Sequence, residues 1–508
     1  MIGKSIIYVS FALNLLAIAY YYLSIKSDKF LKFARYAYFG TALGIIITSL
    51  FLLNNIFSHN FQFAYVWEYS SKELPGFLLL SSFYAGQEGS FLLWALMIAI
   101  FGLILMPFSR KYGYEPVTMG LFSFILAFIL SMLVAKNPFM FIWEKFPGVA
   151  AGFMPENGKG LNPVLENYWI TIHPPILFAG FAAMSIPFAL ALTGLIKKEY
   201  TRWVNIAIPW TLVSTALLGA GIMLGGFWAY ETLGWGGFWG WDPVENSSLL
   251  PWIVAVALVH TFLVQKRTGG LIRTNFLLAI FAFILVIYST FLTRSGILGD
   301  SSVHSFIDPG QIVYLILLCF LGAFLLLGLA VFIFRLKDIS ALKISFPVNS
   351  REFLLSLGAI VLLASTFIIL IGTSWPIITS VLGIKKSSVD ISYYNMWNMP
   401  LIIIILLVNA LSFYLNWRSG SYKNAFKLSA ISAGIALIAT IILFISGVKR
   451  FDYVIFAFAI SYSLIANIEF LYKTIRSNPK MIGAMISHFG ISVFMLGVLG
   501  SAVFTESA

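Results

Sequence analysis

The sequence predicts an all-α, polytopic bundle of membrane-spanning helices, and three observations carry that reading. Of the 508 residues, 60% are hydrophobic and 10% charged, and the mean hydropathy is +0.92. The apolar residues gather into runs of about 20, the length a helix needs to cross a hydrocarbon core. Those runs do not alternate in polarity, as the strands of a transmembrane barrel would. A formal net charge of +12 would suit nucleic acid, but the basic residues lie between the runs and form no patch. That is the distribution that sets membrane topology.

In chain order the fourteen candidate spans are 5–25, 36–57, 77–107, 116–135, 175–196, 203–224, 249–265, 274–293, 311–334, 353–373, 400–417, 428–447, 453–472 and 481–501. The first run, Ile6 to Ile25, is too long and too aromatic for a cleaved signal and reads as a span. The third is long enough to begin as a surface helix. Assigning the connections alternately to two sides tests the set. The segments 25–35, 108–115, 197–202, 266–273, 335–352, 418–427 and 473–480 hold 22 of the 32 Lys and Arg residues. That bias puts them in the cytoplasm and both termini outside. The pair Lys449 and Arg450 is the one local violation. All the elaborate connections, 58–76, 136–174, the Trp-rich stretch, 294–310 and 374–399, then fall outside. Residues 1–508 read as a single integral membrane domain with no separate soluble part, in the cytoplasmic (inner) membrane. The active face points to the periplasm or cell exterior. The lone Cys319 sits in an apolar run, so any thiol chemistry must come from a partner.

One outer stretch does not fit either an apolar helix or a polar loop. Residues 225–252, GGFWAYETLGWGGFWGWDPVENSSLLPW, carry Trp228, Trp235, Trp239, Trp241 and Trp252 among glycines, with Glu231, Asp242 and Glu245 and no Lys or Arg. Indoles in such a segment suit an aromatic platform for a large flat ligand at a membrane surface. Asp242, Glu245 and Asn246 follow a Pro-containing turn and either cap a helix starting near Ser247 or touch the ligand.

Four of the five histidines fall into two pairs. His173 opens the HPP triplet at the outer end of the fifth span, where prolines suit a helix start. His304 lies in TRSGILGDSSVHSFIDPG, before the ninth span. Both are external and flank the Trp-rich stretch in sequence; each alone suits a solvated loop histidine as well as a ligand. His260 and His488 lie within spans seven and fourteen, roughly 8 and 12 Å from the cytoplasmic side at 1.5 Å per residue. An ionisable residue at that depth is a functional candidate. Two imidazoles at similar depth suit bis-histidine ligation of haem iron, and neither has a Cys or carboxylate beside it, which argues against zinc. His59 has no such pairing and reads as a surface residue. Glu88, in GQEGSFLLW, suits a buried polar network. Arg294, just beyond span eight, either pairs an anionic group or snorkels to the interface. No Walker A loop, nucleophile triad or zinc motif is present.

Taken together, WGGFWGWDPVEN, GQEGSFLLW, HPPILFAGF, TRSGILGDSSVHSF and SHFG, in that order from about residue 75 to 490, resemble the CcmF family of cytochrome c-type biogenesis proteins. These are haem lyase subunits of the WWD-domain haem-handling superfamily. The resemblance implies that 225–252 is the external WWD haem-binding segment. It implies that His173 and His304 are axial ligands of the haem being attached, and that His260 and His488 hold a resident b-type haem fed by quinol. Trp228, Trp235, Trp239 and Trp241 would contact the incoming haem. Arg294 would pair a propionate, while Asp242 and Glu245 would shape the loop. Implied partners are the haem chaperone CcmE, CcmH/CcmI-type thiol-handling proteins and apocytochrome c, whose CXXCH cysteines receive the haem vinyls. Two departures stand out. Phe238 and Gly240 occupy positions where relatives often have larger aromatics. The chain also ends soon after the fourteenth span, where longer relatives continue into another external segment and a final span. The rival readings are a haem exporter, a CcmC- or CcsA-like member of the same superfamily, and a plain b-type electron-transfer subunit.

Overall fold

The computed structural model describes residues 2–232, 237–298, 302, 310–339, 347–385, 387–418 and 420–504. Seventeen α-helices are found among them, and the one β-type contact is the isolated bridge between Phe63 and Phe141. In order they are α1 (Ile2–Ser24), α2 (Leu31–Phe57), α3 (Ala64–Tyr69), α4 (Gly76–Ala85), α5 (Gln87–Lys111), α6 (Glu115–Ala135), α7 (Ile142–Lys145), α8 (Tyr168–Ile196) and α9 (Arg202–Thr232). There follow α10 (Pro243–Thr268), α11 (Ile272–Arg294), α12 (Gln311–Arg335), α13 (Arg351–Val381), α14 (Ile391–Ser412), α15 (Tyr422–Ile445), α16 (Phe451–Ser477) and α17 (Ile482–Phe504). Among the described residues, fourteen helices are long and apolar enough to cross a membrane, and each overlaps one of the spans read from sequence. The chain is a multi-pass membrane protein.

The differences lie at the ends. The third span is broken at Gly86, whose added Cβ would lie 2.4 Å from Tyr69 Cε2 and 2.7 Å from Tyr65 Cε2. Tyr65 occupies the break: its hydroxyl donates toward the carbonyls of Ser82 and Phe83 at 3.0 Å and accepts from the Gly86 N–H at 3.1 Å. Helix α8 begins at Tyr168, so the HPP triplet lies inside it and not at its start. Helix α9 runs on to Thr232, which makes the first eight residues of the Trp-rich stretch helical. Much of 374–399, expected as a loop, belongs to α13 and α14.

The chain forms two compact units: Met1–Ala255 with Ile272–Ser340 and Pro376–Lys386, and Val256–Leu271 with Ala341–Trp375 and Ser387–Ala508. In the first unit α8 is central, packed by α5, α6, α9, α11 and α12. Its closest neighbour is α9. A Cβ on Gly180 would lie 2.6 Å from Leu218 Cα, and one on Gly221 2.7 Å from Leu177 Cα. In hydrocarbon, helices gain little from apolar burial against one another, so close backbone approach over small residues supplies much of the packing. In the second unit α14, α15, α16 and α17 pack over alanines and other small side chains, including Ala410, Ala425, Ala436, Ala457, Ala459 and Ala466.

Polar contacts collect at two ends of the first unit. At one, segments 58–76 and 136–174 pair through Ala64 N–H to Met140 O (2.9 Å) and Lys159 N–H to Trp67 O (2.7 Å). At the other, Arg35 makes a bidentate pair with Glu115 at 2.7 Å, and Tyr114 donates to Glu199 at 3.0 Å. Tyr200 donates to Asp338 there at 3.4 Å. Segments assigned to one side by charge therefore touch one another. The exceptional pair is accommodated locally, Arg450 by Asp452 at 2.6 Å and Lys449 over the Phe444 ring.

The α8–α9 contact gives a test. Gly180→Leu meets α9 backbone and is expected to cost about 1–3 kcal/mol through overpacking, read as a lower thermal midpoint in detergent. Gly434→Leu, where nothing lies within 4 Å, should leave the midpoint within error.

Candidate functional site

The Trp-rich stretch is built by two helix ends and the turn between them. Helix α10 starts at Pro243, four residues earlier than expected, because Asp242 is its N-cap. Asp242 Oδ1 accepts from the Val244 N–H at 2.8 Å. Glu245, three residues on, returns Oε2 to the N–H of Asp242 (3.3 Å) and of Gly240 (3.0 Å). This reciprocal capping satisfies donors that a helix start leaves unpaired, and each acid also favours the positive end of the helix dipole. Asn246, buried, donates to Trp241 O at 2.9 Å. The turn so held carries Trp241 at φ +55°, a left-handed conformation that a non-glycine residue adopts at a cost of about 1–3 kcal/mol. Asp242 Oδ1 also accepts from the Ser302 hydroxyl at 2.8 Å, which ties the 294–310 segment to the turn two residues before His304.

The indoles divide by role. Trp239 and Trp241 stand edge to face at 6.2 Å and remain partly exposed. Trp228 is buried, donates to Val164 O at 3.3 Å and packs against Leu165, Trp169 and Ile170. Trp252 donates to Thr215 O at 3.1 Å and lies against Gly219. Trp235 and His304 lie outside the described residues.

His173 faces α9. Its Nδ1 is 2.7 Å from Gly221 O, an atom that can only accept, so Nδ1 carries the proton and Nε2 has the lone pair. A Cβ on Gly225 would lie 2.7 Å from His173 Cε1, so the glycine gives the ring its place on the helix. The two prolines after His173 remove the N–H groups that would serve Ile170 O and Thr171 O, four residues back. Tyr84 replaces them. Its hydroxyl lies 3.2 Å from Ile170 O and 2.9 Å from Thr171 O, and donates to this pair of carbonyls. No sequence motif singles out Tyr84, although two adjacent prolines inside a helix signal that some donor must stand four residues upstream.

Arg294 is buried, its guanidinium over the rings of Phe91 (5.7 Å) and Phe178 (5.2 Å), with Ser90 Oγ at 3.3 and 3.4 Å. Glu88 is buried in the first turn of α5. His59 is half-buried against Phe61, not fully at the surface.

The other two histidines meet within the second unit. His260, on the second half of α10, and His488, on α17, have ring centroids 5.8 Å apart at 78°. His260 Nδ1 donates to Val256 O at 2.7 Å. His488 Nδ1 donates to Asn409 Oδ1 at 2.7 Å, and Asn409 Nδ2 is occupied by Ser463 Oγ at 3.0 Å. Each ring therefore presents Nε2 as an acceptor, and among the described residues no donor reaches either one. Two such lone pairs suit a shared electrophile. Imidazole nitrogens bind metals at about 2 Å, so two rings on opposite faces of one metal have centroids about 6 Å apart. The observed spacing fits a metal centre held by both. Asn409, which sequence reading missed, fixes the tautomer of His488, as an outer partner does for a metal-bound imidazole.

Tyr84→Phe leaves two part-buried carbonyls without their donor, at an expected cost of about 1 kcal/mol. Adding Pro174→Ala and Pro175→Ala restores the backbone N–H groups, so the triple variant should recover most of the lost thermal stability. A double-mutant cycle on detergent-purified protein measures that coupling.

Comparison with known proteins gives a family. The family model "Cytochrome C assembly protein" matches residues 84–298. CcmF of Pseudomonas fluorescens is 33% identical over 465 residues, covering 87% of this chain and 67% of that protein. CcmF of Escherichia coli K12 is 31% identical over 467 residues, covering 88% and 69%. A solved structure of the cytochrome c haem lyase CcmF has the same fold, with a TM-score of 0.77 at 24% identity over 98% of this chain and 76% of that one. The chain thus belongs to the CcmF family of cytochrome c-type biogenesis proteins.

Proposed function

We propose that this chain is the haem lyase subunit of cytochrome c maturation. It takes haem from a CcmE-type chaperone on the external face of the cytoplasmic membrane. It then attaches that haem to the CXXCH cysteines of an apocytochrome c delivered by CcmH/CcmI-type partners. The observation that carries this reading is the tautomer of His173. Its Nδ1 is committed to Gly221 O, which makes Nε2 the nitrogen with the lone pair that an iron would take, on a ring packed against Gly225 at the start of the Trp-rich stretch. His304 is the intended second axial ligand. Ser302, two residues before it, is held by Asp242.

In this reading Trp239 and Trp241 offer apolar edges to the substrate haem, with Trp235 completing the surface. Trp228 supports the loop behind it. The capping by Asp242 and Glu245 shapes the turn and keeps both carboxylates engaged by backbone. Arg294 contributes positive charge to the same unit and suits a propionate counter-charge. Thioether formation adds a cysteine S–H across a haem vinyl: sulfur bonds to one carbon and the proton passes to the other, with no net electron transfer. The chain's task is to hold iron, vinyls and thiols in register, which is catalysis by positioning.

The fit of His260 and His488 to one metal supports a resident b-type haem there. When bound, that haem supplies a one-electron couple that carries electrons from quinol toward the substrate haem. Val256 O and Asn409 Oδ1 orient the ligands. The alternative, a haem exporter, places ligands along a route through the membrane. Movement of haem across proteoliposomes by this chain alone would favour it.

Five variants separate the roles. His260→Ala or His488→Ala should remove the b-type absorbance of purified protein while membrane insertion persists; a surviving spectrum in both would sink the resident-haem assignment. His173→Ala or His304→Ala should keep that absorbance and abolish cytochrome c maturation in cells, and normal maturation in either would exclude it as an external ligand. Asn409→Ala should weaken resident-haem binding about 10- to 100-fold, the usual effect of losing a ligand's orienting partner, as measured by haem titration of the apoprotein.

A further inference from the structure

A basic cluster at one end of the second unit has no part in the sites above. Arg267, in the last turn of α10, and Arg351, the first residue of α13, both lie over the indole of Trp417, at 5.5 and 5.8 Å from its centroid. Arg418 donates through Nη2 to Arg267 O at 3.1 Å, and its N–H to Oε1 of the buried Glu352 at 2.7 Å. Arg351 donates Nε to Ser412 O (2.8 Å) and Nη2 to Phe413 O (2.9 Å). Topology and the helix dipole account for Arg267 at a helix C-terminus. Arg351, on a connection of the same basic side, begins α13, where that helix's own dipole disfavours a cation; it is only half exposed and turns Nε and one Nη to the last carbonyls of α14. Glu352 is the one acid hydrogen-bonded to the cluster among the described residues, and it is engaged by a backbone N–H. Other cations on connections of the same side are occupied: Lys473 by Glu469, and Arg476 by the Tyr472 ring.

Both intramembrane histidines lead to this cluster. Arg267 follows His260 by seven residues, which returns it to the same helix face within about 20° and roughly 10 Å along the axis. Phe413, whose carbonyl receives Arg351, has its ring 5.7 Å from that of His488, edge to face. A porphyrin ligated by the two histidines would have its iron at one end of this span and an anionic edge to satisfy. Propionates within or beside hydrocarbon need cationic partners, and guanidinium groups match carboxylates bidentately.

We infer that Arg267 and Arg351 bind the propionate carboxylates of the haem held by His260 and His488, so that its polar edge faces the basic end of the unit. The inference rests on the resident-haem reading. Cations at the propionates favour the reduced, more negative haem, so their removal favours the oxidised form.

The test uses full-length, haem-loaded protein in detergent. Arg267→Gln should retain the low-spin bis-histidine spectrum, lower the midpoint potential by about 59 mV (a tenfold shift in a one-electron equilibrium) and move the propionate-bending bands in resonance Raman. Arg267→Lys keeps the charge, so it should restore most of the potential without restoring the bands. Arg476→Gln, a cation of the same side held by Tyr472, should change neither. Arg351→Gln should act as Arg267→Gln does; if it fails to fold through loss of its α14 contacts, Arg267 alone decides. Unchanged potential and bands in Arg267→Gln overturn the inference. So does loss of co-purified anionic lipid with unchanged haem, which makes the cluster a site for a lipid phosphate. Wild-type protein lacking a bis-histidine spectrum overturns the underlying haem reading itself, whatever the variants do.

Discussion

Inside a bilayer there is no water to complete a hydrogen bond, so each polar group must find its partner within the protein. That constraint organises His260 and His488, and His173, at the outer end of its span, is bonded in the same way. His173, His260 and His488 each commit Nδ1 to an acceptor: a carbonyl of a neighbouring helix, a carbonyl one turn back, and an asparagine side chain. The same bond that removes a buried unsatisfied donor also fixes the tautomer. What stabilises the fold and what sets the tautomer are therefore one interaction in each case.

Prolines and glycines play opposite parts in arranging it. Pro174 and Pro175 strip two N–H groups from α8 beside His173, and Tyr84 supplies the missing donor from α4. The consequence is a helix start anchored sideways to another element as well as along its own axis. Gly180, Gly221 and Gly225 let α9 approach α8 closely enough for the imidazole to reach a carbonyl. Either feature alone would weaken a helix. Together they give a histidine one position and one orientation.

The Trp-rich stretch began as a uniform aromatic surface and separates into parts. Helix ends claim its flanks, Trp228 and Trp252 hold neighbouring segments by indole N–H bonds, and Trp239 and Trp241 stay partly exposed on a capped turn. Asp242 both caps α10 and holds Ser302. A single carboxylate thus joins the turn to the segment that carries His304.

Much of this protein was legible from its sequence. Span number and order follow from hydropathy, since about 20 apolar residues have few alternatives in a membrane. The motifs identified the family, and matched depth paired His260 with His488. Helix ends were misplaced where local signals conflict with tertiary contacts: HPP reads as a helix start, yet α8 begins earlier because Asn167 caps it and Tyr84 serves the prolines. The sequence alone contained no sign of Asn409, Tyr84 or the meeting of Arg267, Arg351 and Trp417. Those residues lie far apart in the chain and act only through partners that packing brings to them. Composition determined that the chain crosses a membrane. Tertiary structure decided which nitrogen each histidine offers, because the choice belongs to an acceptor on another turn or another helix.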